Sequence, residues 1–198
     1  MFIDLTLCEE HFLDLGFDKA LKISLIEFNS RKDLKKKLDA EHGLRVVIGS
    51  KNNRNVVEEK KVDLLLSPEK GVKRDSFHHR NSGLDMVVCK LAKKNNIAIG
   101  FNFNDVLRSE GVVRAETLGR MIQNVRLCRK HKLRMVLGSF ARTKWQMRSK
   151  SDLLSFGIVI GMHPAEAMES LQTVSEIGHE RKHRWLMVSE GVEIIDKI

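Results

Sequence analysis

The stretch from Val62 to Leu107 limits the fold more than any other part of the sequence, because it has the pattern of one strand–loop–helix–strand unit. Its first segment, Val62 to Leu66, is apolar except for Asp63, as is typical of a strand buried on both faces of a parallel sheet. Apolar residues then recur at helical spacing from Leu84 to Leu91, and a second apolar run follows from Ile97 to Phe101. Two parallel strands joined through a helix need a right-handed crossover, so the unit predicts an α/β fold.

The same alternation of apolar runs and helical patterns continues along the chain. The helix inside the first unit is expected to begin at Ser82, because Ser82 and Asp85 have the spacing of an N-terminal capping pattern. Seven strands are predicted, at 2–7, 21–26, 44–48, 62–66, 97–101, 134–138 and 157–161; an eighth, at 192–195, would lie at an edge. The other predicted helices are 9–15, 31–40, 53–60, 115–131 and 151–155, and one that begins at Pro164.

This alternation determines the predicted fold class. Seven or eight mainly parallel strands favour a small, distorted TIM-like (β/α) barrel, and an open doubly wound sheet is the alternative. The 198 residues provide one sizeable core, so we expect a single barrel domain that spans residues 1–198. The sequence contains no G-x-G-x-x-G after a strand and no G-x-x-x-x-G-K-[ST] loop, which argues against a nucleotide-binding fold.

Composition predicts a soluble cytoplasmic protein that does not associate with membranes. Apolar residues make up 42% of the chain and charged residues 31%, as is typical of a globular protein. Residues 1–10 carry no basic side chain, unlike a signal peptide, and no apolar run is long enough to span a bilayer. Three cysteines stand far apart in apolar surroundings, so buried reduced thiols are expected rather than a thiol nucleophile: Cys8, Cys89 and Cys128.

Positive charge is concentrated in one segment. The whole chain has a net charge of +9, while Arg114 to Lys150 contains eleven Lys or Arg and one acid, Glu116. This segment therefore carries a net +10, and the rest of the chain is close to neutral, which indicates a polyanionic partner. The residues from Arg129 to Lys132 have a structural explanation as well, because they crowd a predicted helix C-terminus, where the helix dipole favours cations.

Three predicted loops follow strands at the end of the barrel where functional groups usually lie. Ser67 to Asn81 is basic, Asn102 to Arg114 carries two arginines, and Ser139 to Lys150 has no acid and contains Phe140 and Trp145. Basic groups beside an aromatic ring suit a phosphate backbone with an occasional stacked base. The basic residues of the three loops are Lys70, Lys73, Arg74, Arg80, Arg108, Arg114, Arg142, Lys144, Arg148 and Lys150.

Two metal-dependent activities are the alternatives. The sequence His179 to His183 matches H-E-x-x-H, which on a helix can hold zinc, but Arg181 and Lys182 would repel a dication, so a charged surface helix is favoured. A metal-dependent phosphoesterase would use three acids and a histidine: Asp4, Glu27, Asp63 and His163. No H-x-H or D-x-H accompanies them, so buried acids paired with arginines and a histidine at a helix start are the simpler interpretation.

Several motifs, in order and spacing, resemble protein component 3 of archaeal ribonuclease P, a family related to a protein subunit of the eukaryotic enzyme. The resemblance is strongest between Val62 and Met162 and rests on the segments 62–69, 79–85, 89–92, 94–101 and 152–162. It implies a distorted TIM-like barrel similar to the polymerase and histidinol phosphatase superfamily. The related phosphatases carry H-x-H at the end of strand one, where this chain has Leu5-Thr6-Leu7, so a phosphatase site is expected to be absent.

The resemblance also implies a function and partners. The family assists a catalytic RNA that removes the 5′ leader from precursor tRNA, and the RNA with its magnesium ions performs the chemistry. The chain is therefore expected to bind no cofactor and no metal of its own. Its expected partners are the ribonuclease P RNA, the other protein subunits, especially component 2, and precursor tRNA through the holoenzyme. The expected RNA contacts, from the loops and the family's pattern together, are Arg74, Arg80, Asn81, Lys94, Arg108, Arg114, Arg142, Lys144, Arg148 and Lys150.

Overall fold

The computed structural model of the chain describes residues 1–9, 15–72, 75, 80–189 and 192–193, with side chains as far as Arg181. Several predictions fall wholly or partly outside these residues, among them Lys73 of the first basic loop. The short helix expected at 9–15 lies largely outside them, and Arg74 lies outside them entirely.

Within the described residues, seven short parallel strands form the centre of the fold. They are β1 (Ile3–Thr6), β2 (Lys19–Lys22), β3 (Leu25–Ile26), β4 (Val46–Ile48), β5 (Leu64–Leu66), β6 (Ala98–Asn102) and β7 (Met135–Gly138). Strands β3 to β7 form one sheet in chain order, and β1 pairs with β2.

Two junctions close these strands into a barrel. The continuous segment from β2 to β3 pairs with β1 on one side and with β4 on the other. After β7, Phe140 N donates to Leu5 O and Leu7 N donates to Ala141 O, each over 2.8 Å, so the end of β7 is joined to β1. The predicted α/β class and the distorted TIM-like barrel are confirmed, and the open doubly wound alternative is wrong.

Helices surround this barrel, and their apolar residues pack against the outward-facing residues of its strands. They are α1 (Arg31–Ala40), α2 (Asn53–Val57), α3 (Met86–Lys94), α4 (Phe103–Leu107), α5 (Gly111–His131), α6 (Lys150–Val159), α7 (Pro164–Ser170) and α8 (Thr173–Leu186). Short 3₁₀ turns occupy Pro68–Gly71 and Lys144–Gln146, and β8 (Met187–Ser189) pairs antiparallel with β9 (Val192–Glu193).

Alternate strand residues face two separate cores, as the two-residue period of a strand requires. Leu64 and Leu66 belong to the inner cluster with Val46, whereas Leu65 packs in the outer layer under the helices. Gly100 makes room inside, because a Cβ there would lie 2.9 Å from a methyl group of Leu66. Helix α8 covers the barrel end at which the strands begin, through members of the inner cluster: Val174 and Ile177.

Two details of the sequence prediction are wrong. Residues 157–161 are the end of α6 and the turn after it rather than a strand, since a short apolar run cannot distinguish a buried helix segment from a strand. Helix α3 begins at Met86, because Asp85 is its N-cap and accepts from Val88 N over 2.7 Å. Of the edge strand expected at 192–195, the structure describes Val192–Glu193, which form β9 and pair with β8; residues 194 and 195 lie outside the described residues.

Candidate nucleic-acid interface

Contacts through α4 bring the three predicted loops together at the carboxyl ends of β5, β6 and β7. Asp105 of α4 forms a 2.8 Å ion pair with Lys70 of the first loop. Arg148 of the third loop places its guanidinium carbon 5.5 Å from the centroid of the Phe103 ring. The second predicted loop, Asn102 to Arg114, is mostly helical, because it contains α4 and the first turn of α5. We call this combined surface the strand-end face; its described residues are 67–72, 75, 80–83, 102–114 and 139–150.

The loop after β7 presents an exposed indole among cations. The Trp145 side chain is exposed, with 73% of its surface accessible, although it is the largest apolar group in the loop. Lys144 Nζ lies 5.5 Å from the centroid of its ring, and Arg148 Nη1 donates to Trp145 O over 3.1 Å. Arg142 is exposed, and its guanidinium makes no hydrogen bond or ion pair within the described residues. This arrangement can receive a phosphate backbone and a base together.

The other residues of that loop differ in their accessibility. Phe140 is fully buried in the inner cluster, so only Trp145 of the two predicted aromatics is available for stacking. Lys150 begins α6, and its Nζ lies 4.1 Å from the centroid of the Phe2 ring. Arg148 is half-buried because its guanidinium is used in holding the loop, where Nη1 also donates to Met147 O over 2.7 Å.

Arg80 and Asn81 lie beside helix α5, at the end of the first loop. The Arg80 side chain is 48% exposed, and its Nε lies 3.9 Å from a carboxylate oxygen of Asp75. Asn81 is exposed, and its N–H donates to Asp75 Oδ1 over 3.0 Å. Arg108 caps α4 and is exposed, and Arg114 lies in the first turn of α5, where Nε donates to Ser109 O over 2.7 Å.

Lys94 is the one described candidate that the fold places away from the others. It ends helix α3, just before β6 begins, and a helix that connects parallel strands runs back to their starting edge. Lys94 is therefore at the opposite end of the barrel from Arg142 and Lys144. Its contact with RNA stays a prediction, as does that of Arg74.

Three of the basic residues in the charged segment hold the fold together. Arg120 is buried and pairs with Asp75 over 3.2 Å. Arg129 pairs with Glu166 over 2.6 Å, and the hydrogen bond from Arg129 lowers the pKa of Glu166 to about 2. Arg134 pairs with Glu180 over 2.8 Å. A structural role at the end of α5 was predicted from the helix dipole, and for Arg129 the structure shows a specific carboxylate partner.

A buried polar cluster under the strand-end face was not predicted from the sequence. Asn124 of α5 donates from its side-chain amide to Glu69 Oε2 and to Ser82 O, both over 3.1 Å. Glu69 is completely buried, and this desolvation raises its pKa to about 8. Three side-chain oxygens in the cluster lack a hydrogen-bond partner: Glu69 Oε1, Ser82 Oγ and Asn124 Oδ1. The cluster joins the first loop to α5, and no local sequence pattern marks it.

The acids considered for a phosphoesterase do not come together. Asp4 is buried and accepts hydrogen bonds from the N–H and the hydroxyl of Ser139, over 2.8 and 2.6 Å. Asp63 lies at the start of β5, at the other end of the barrel, and pairs with Arg181 over 2.6 Å. Glu27 is exposed. Among the described side chains, no three His, Cys, Asp or Glu residues are grouped so that they could hold a metal ion.

The histidines considered for chemistry have structural positions. His179 and Glu180 lie on α8, where Glu180 is held by Arg134 and by Asn96, whose side-chain amide donates to it over 3.1 Å. His183 lies beyond the described side chains. His163 is the exposed N-cap residue of α7, as the simpler interpretation predicted, and its N–H donates to Glu166 over 2.8 Å.

Two of the three cysteines are buried as expected, whereas Cys8 is half-buried, so its predicted burial is wrong. Cys89 and Cys128 are buried thiols, and burial raises the pKa of Cys89 to about 11 and that of Cys128 well above its usual value. Both groups therefore stay protonated at neutral pH, which makes them poor nucleophiles. Over the described ranges, every helix is too short or too polar to cross a lipid bilayer.

The fold and this surface define a class of protein: a TIM-like α/β barrel with a basic, aromatic-bearing face at the carboxyl ends of its strands. The chain belongs to the RNase P subunit p30 family, which it matches over residues 45–186, and it is thus a protein subunit of ribonuclease P. The resemblance drawn from the sequence motifs is confirmed.

Individual relatives support the same assignment. The ribonuclease P protein component 3 of Methanosarcina mazei is 31% identical over 186 residues, which cover 91% of this chain and 74% of the relative. Its counterpart in Thermococcus gammatolerans is 37% identical over 151 residues, which cover 76% of this chain and 64% of the relative. A chain in the cryo-EM structure of archaeal ribonuclease P with mature tRNA superposes with a TM-score of 0.74 at 27% identity, covering 98% of this chain and 88% of that one.

Proposed function

We propose that this chain supports the catalytic RNA of ribonuclease P in removing the 5′ leader from precursor tRNA, and that it binds this RNA through the strand-end face. The observation that carries the proposal is the exposed Trp145 ring with Lys144 Nζ 5.5 Å from its centroid and the exposed Arg142 in the same loop, on the face where barrel proteins hold their functional groups. Phosphates would contact Arg80, Arg142 and Lys144 and supply most of the affinity, which makes binding sensitive to salt.

The chain contributes binding rather than chemistry in this proposal. Asp4 and Asp63, the buried acids that a metal-dependent reaction would need, are held by Ser139 and Arg181 instead. The magnesium ions of the reaction belong to the RNA subunit, and the chain needs no cofactor. The family assignment favours this function over a phosphoesterase.

The proposed partners are the ribonuclease P RNA, the other protein subunits, especially component 2, and precursor tRNA through the holoenzyme. The similarity to a chain of archaeal ribonuclease P with mature tRNA supports them. A pull-down of the tagged protein from its native cell, with and without nuclease, tests the set. Enrichment of the ribonuclease P RNA and of proteins that survive nuclease treatment is expected, and absence of that RNA would contradict the proposal. The cytoplasmic location stays a prediction.

Arg80→Ala and Lys144→Ala are each expected to weaken binding of the ribonuclease P RNA about three- to tenfold without unfolding the protein, because each removes one cation from the phosphate contacts. The slope of log affinity against log salt concentration should become shallower by about one for each variant. Filter binding at several salt concentrations measures both quantities.

Lys36→Ala is the matched control, because Lys36 is an exposed residue of α1 and the substitution removes the same charge elsewhere. It is expected to leave affinity nearly unchanged. If all three variants behave alike, the effect is one of net charge and the proposed contacts are wrong. Lys94→Ala in the same series tests whether the opposite end of the barrel also meets RNA.

Trp145 is expected to stack on an unpaired base, which would quench its fluorescence. The test uses a Trp185→Phe background, because the chain has two tryptophans, and compares a single-stranded oligoribonucleotide with a duplex of the same sequence. Quenching by the single strand, and an affinity about fivefold or more lower for Trp145→Leu but not for Trp145→Phe, are the expected results. Equal affinity for all three proteins would mean that no base stacks there.

A further inference from the structure

The guanidinium of Arg80 lies directly on the backbone of helix α5, at Gly119. A Cβ atom placed at Gly119 would come within 2.7 Å of the guanidinium carbon of Arg80, and nearer still to Nη1. Ordinary contacts of a Cβ atom begin at about 3.4 Å, so the side chain of Arg80 can adopt this position only because residue 119 has no side chain.

The glycine is unfavourable for the helix itself. Gly119 lies within the 21-residue helix α5, and a glycine in the interior of a helix is destabilising relative to alanine. Among the described residues no backbone contact requires glycine here, since the three atoms nearest to a Cβ at this position all belong to the Arg80 guanidinium, and the φ angle of Gly119 is not positive. What the missing side chain provides at this position is therefore a place for the arginine.

The backbone of Arg80 is held independently of its side chain. Gln123 of α5 donates from its side-chain amide to Arg80 O over 2.9 Å. Asp75 accepts from the N–H of the next residue, Asn81, over 3.0 Å, and is itself held by Arg120 over 3.2 Å. The loop thus has its own attachments to α5, and the guanidinium can be displaced without releasing the loop.

We infer that Gly119 is the positioning residue for Arg80: it seats the guanidinium flat on α5 so that the outward edge meets a backbone phosphate of the RNA. This inference rests on the proposed function, because it assumes that Arg80 contacts RNA. The Arg80 side chain remains 48% exposed in this position, so the outward edge is accessible. A planar guanidinium fixed on one side loses less freedom when its other edge binds a phosphate.

Gly119→Ala tests the inference because its two expected effects have opposite directions. Affinity for the ribonuclease P RNA should fall about fivefold, since the displaced guanidinium no longer meets its phosphate. The melting temperature should rise by about 2–4 °C, since alanine favours the helix and the displaced group is the end of a flexible side chain. A residue that mattered only for packing would lower the melting temperature when replaced.

Gly178→Ala is the matched control. Gly178 is an exposed glycine of α8, and a Cβ there would meet no atom of the described residues within 4 Å. This variant should raise the melting temperature in the same way and leave RNA affinity unchanged. In an Arg80→Ala background, Gly119→Ala should cause no further loss of affinity, because there is no guanidinium left to displace.

The outcomes separate the inference from the function on which it rests. If Arg80→Ala weakens binding and Gly119→Ala does not, Arg80 contacts RNA but Gly119 does not position it, and the inference is wrong. A melting temperature lowered by Gly119→Ala would also overturn it, as would a further loss of affinity in the Arg80→Ala background. If the wild-type chain does not bind the RNA, the proposed function is wrong, and the inference, which assumes that Arg80 contacts RNA, is wrong with it.

Discussion

Replacing Glu69 with glutamine is expected to stabilise the folded protein by roughly 3–4 kcal/mol at pH 7, because pH 7 lies 2.5 units above the ordinary pKa of 4.5 and each unit is equivalent to about 1.4 kcal/mol. Burial raises the pKa of this carboxyl group from 4.5 to about 8, and the nearby Asp105 carboxylate adds to the effect, while Lys70 opposes it. Glutamine keeps the size of the side chain, and its amide oxygen can still accept the hydrogen bond that the Asn124 side-chain amide donates.

The direction of the pH dependence follows from the raised pKa. Below pH 4.5 the carboxyl group is protonated in both the folded and the unfolded chain, so Glu69 does not lower the free energy of unfolding there. Between pH 4.5 and about 8 the unfolded chain loses this proton while the folded chain keeps it, so the contribution of Glu69 to the free energy of unfolding declines steadily across this range. Glu69→Gln has no such carboxyl group and should lack this part of the decline.

Urea unfolding at pH 5, 6, 7 and 8 measures the free energy of unfolding of the wild type and of Glu69→Gln. Both proteins have the same histidines, so the effect of histidine titration cancels in the difference between the two free energies. Glu169→Gln is the control, because Glu169 is an exposed residue of α7 and its replacement should not change the profile. Parallel profiles for the wild type and Glu69→Gln would mean that the buried carboxyl group does not titrate as inferred.

The strands could be predicted because a strand that is buried on both faces needs a continuous run of apolar residues, and such a run is visible in the sequence. Each of the first six predicted strands overlaps an observed one, since continuous apolar runs such as Leu64–Leu66 are required wherever one side of a strand faces the barrel interior and the other faces helices. Residues 157–161 are just as apolar but lie mostly in a helix that is buried on one side only, since Ile158 and Val159 are 51% and 64% exposed. Gly157 lies on the buried side, where a Cβ would meet Ala167 at 3.0 Å.

The location of the candidate interface was predictable, but the role of each cation was not. Parallel strands end at one edge, so the loops after β5 and β7 had to share a face. Arg120 and Arg142 are equally basic in the sequence, yet Arg120 is buried against Asp75 while Arg142 points to solvent. That difference depends on a partner 45 residues away in the chain, which no local pattern contains.

The two aromatic residues of the loop after β7 also differ in a way that the sequence does not show. Phe140 and Trp145 are five residues apart, but the backbone at Phe140 takes a left-handed conformation with φ of 44°, and its ring is fully buried in the inner cluster. Trp145 lies on a short 3₁₀ turn that leaves its ring exposed. The sequence predicted an aromatic beside the cations, and only the fold distinguishes which of the two can meet a base.

Leu65→Ala is expected to destabilise the protein by about 2–5 kcal/mol, because it removes a large side chain from a site that cannot collapse easily. Leu65 lies in the middle of β5, where the sheet register places Val47 on one side of it and Ile99 on the other. All three are fully buried in the outer cluster beneath the helices, so the lost methyl groups leave a cavity rather than exposed surface.

Two controls show whether the loss comes from packing at this site. Leu65→Met preserves most of the volume and should cost less than about 1.5 kcal/mol. Val113→Ala removes apolar groups from a side chain that is 62% exposed in α5, so it should change stability by no more than about 0.5 kcal/mol. In urea unfolding, the midpoint should fall for Leu65→Ala while the slope stays constant, since the surface exposed on unfolding is nearly the same. An unchanged midpoint would mean that β5 is not in the core, and the barrel order around it would then be wrong.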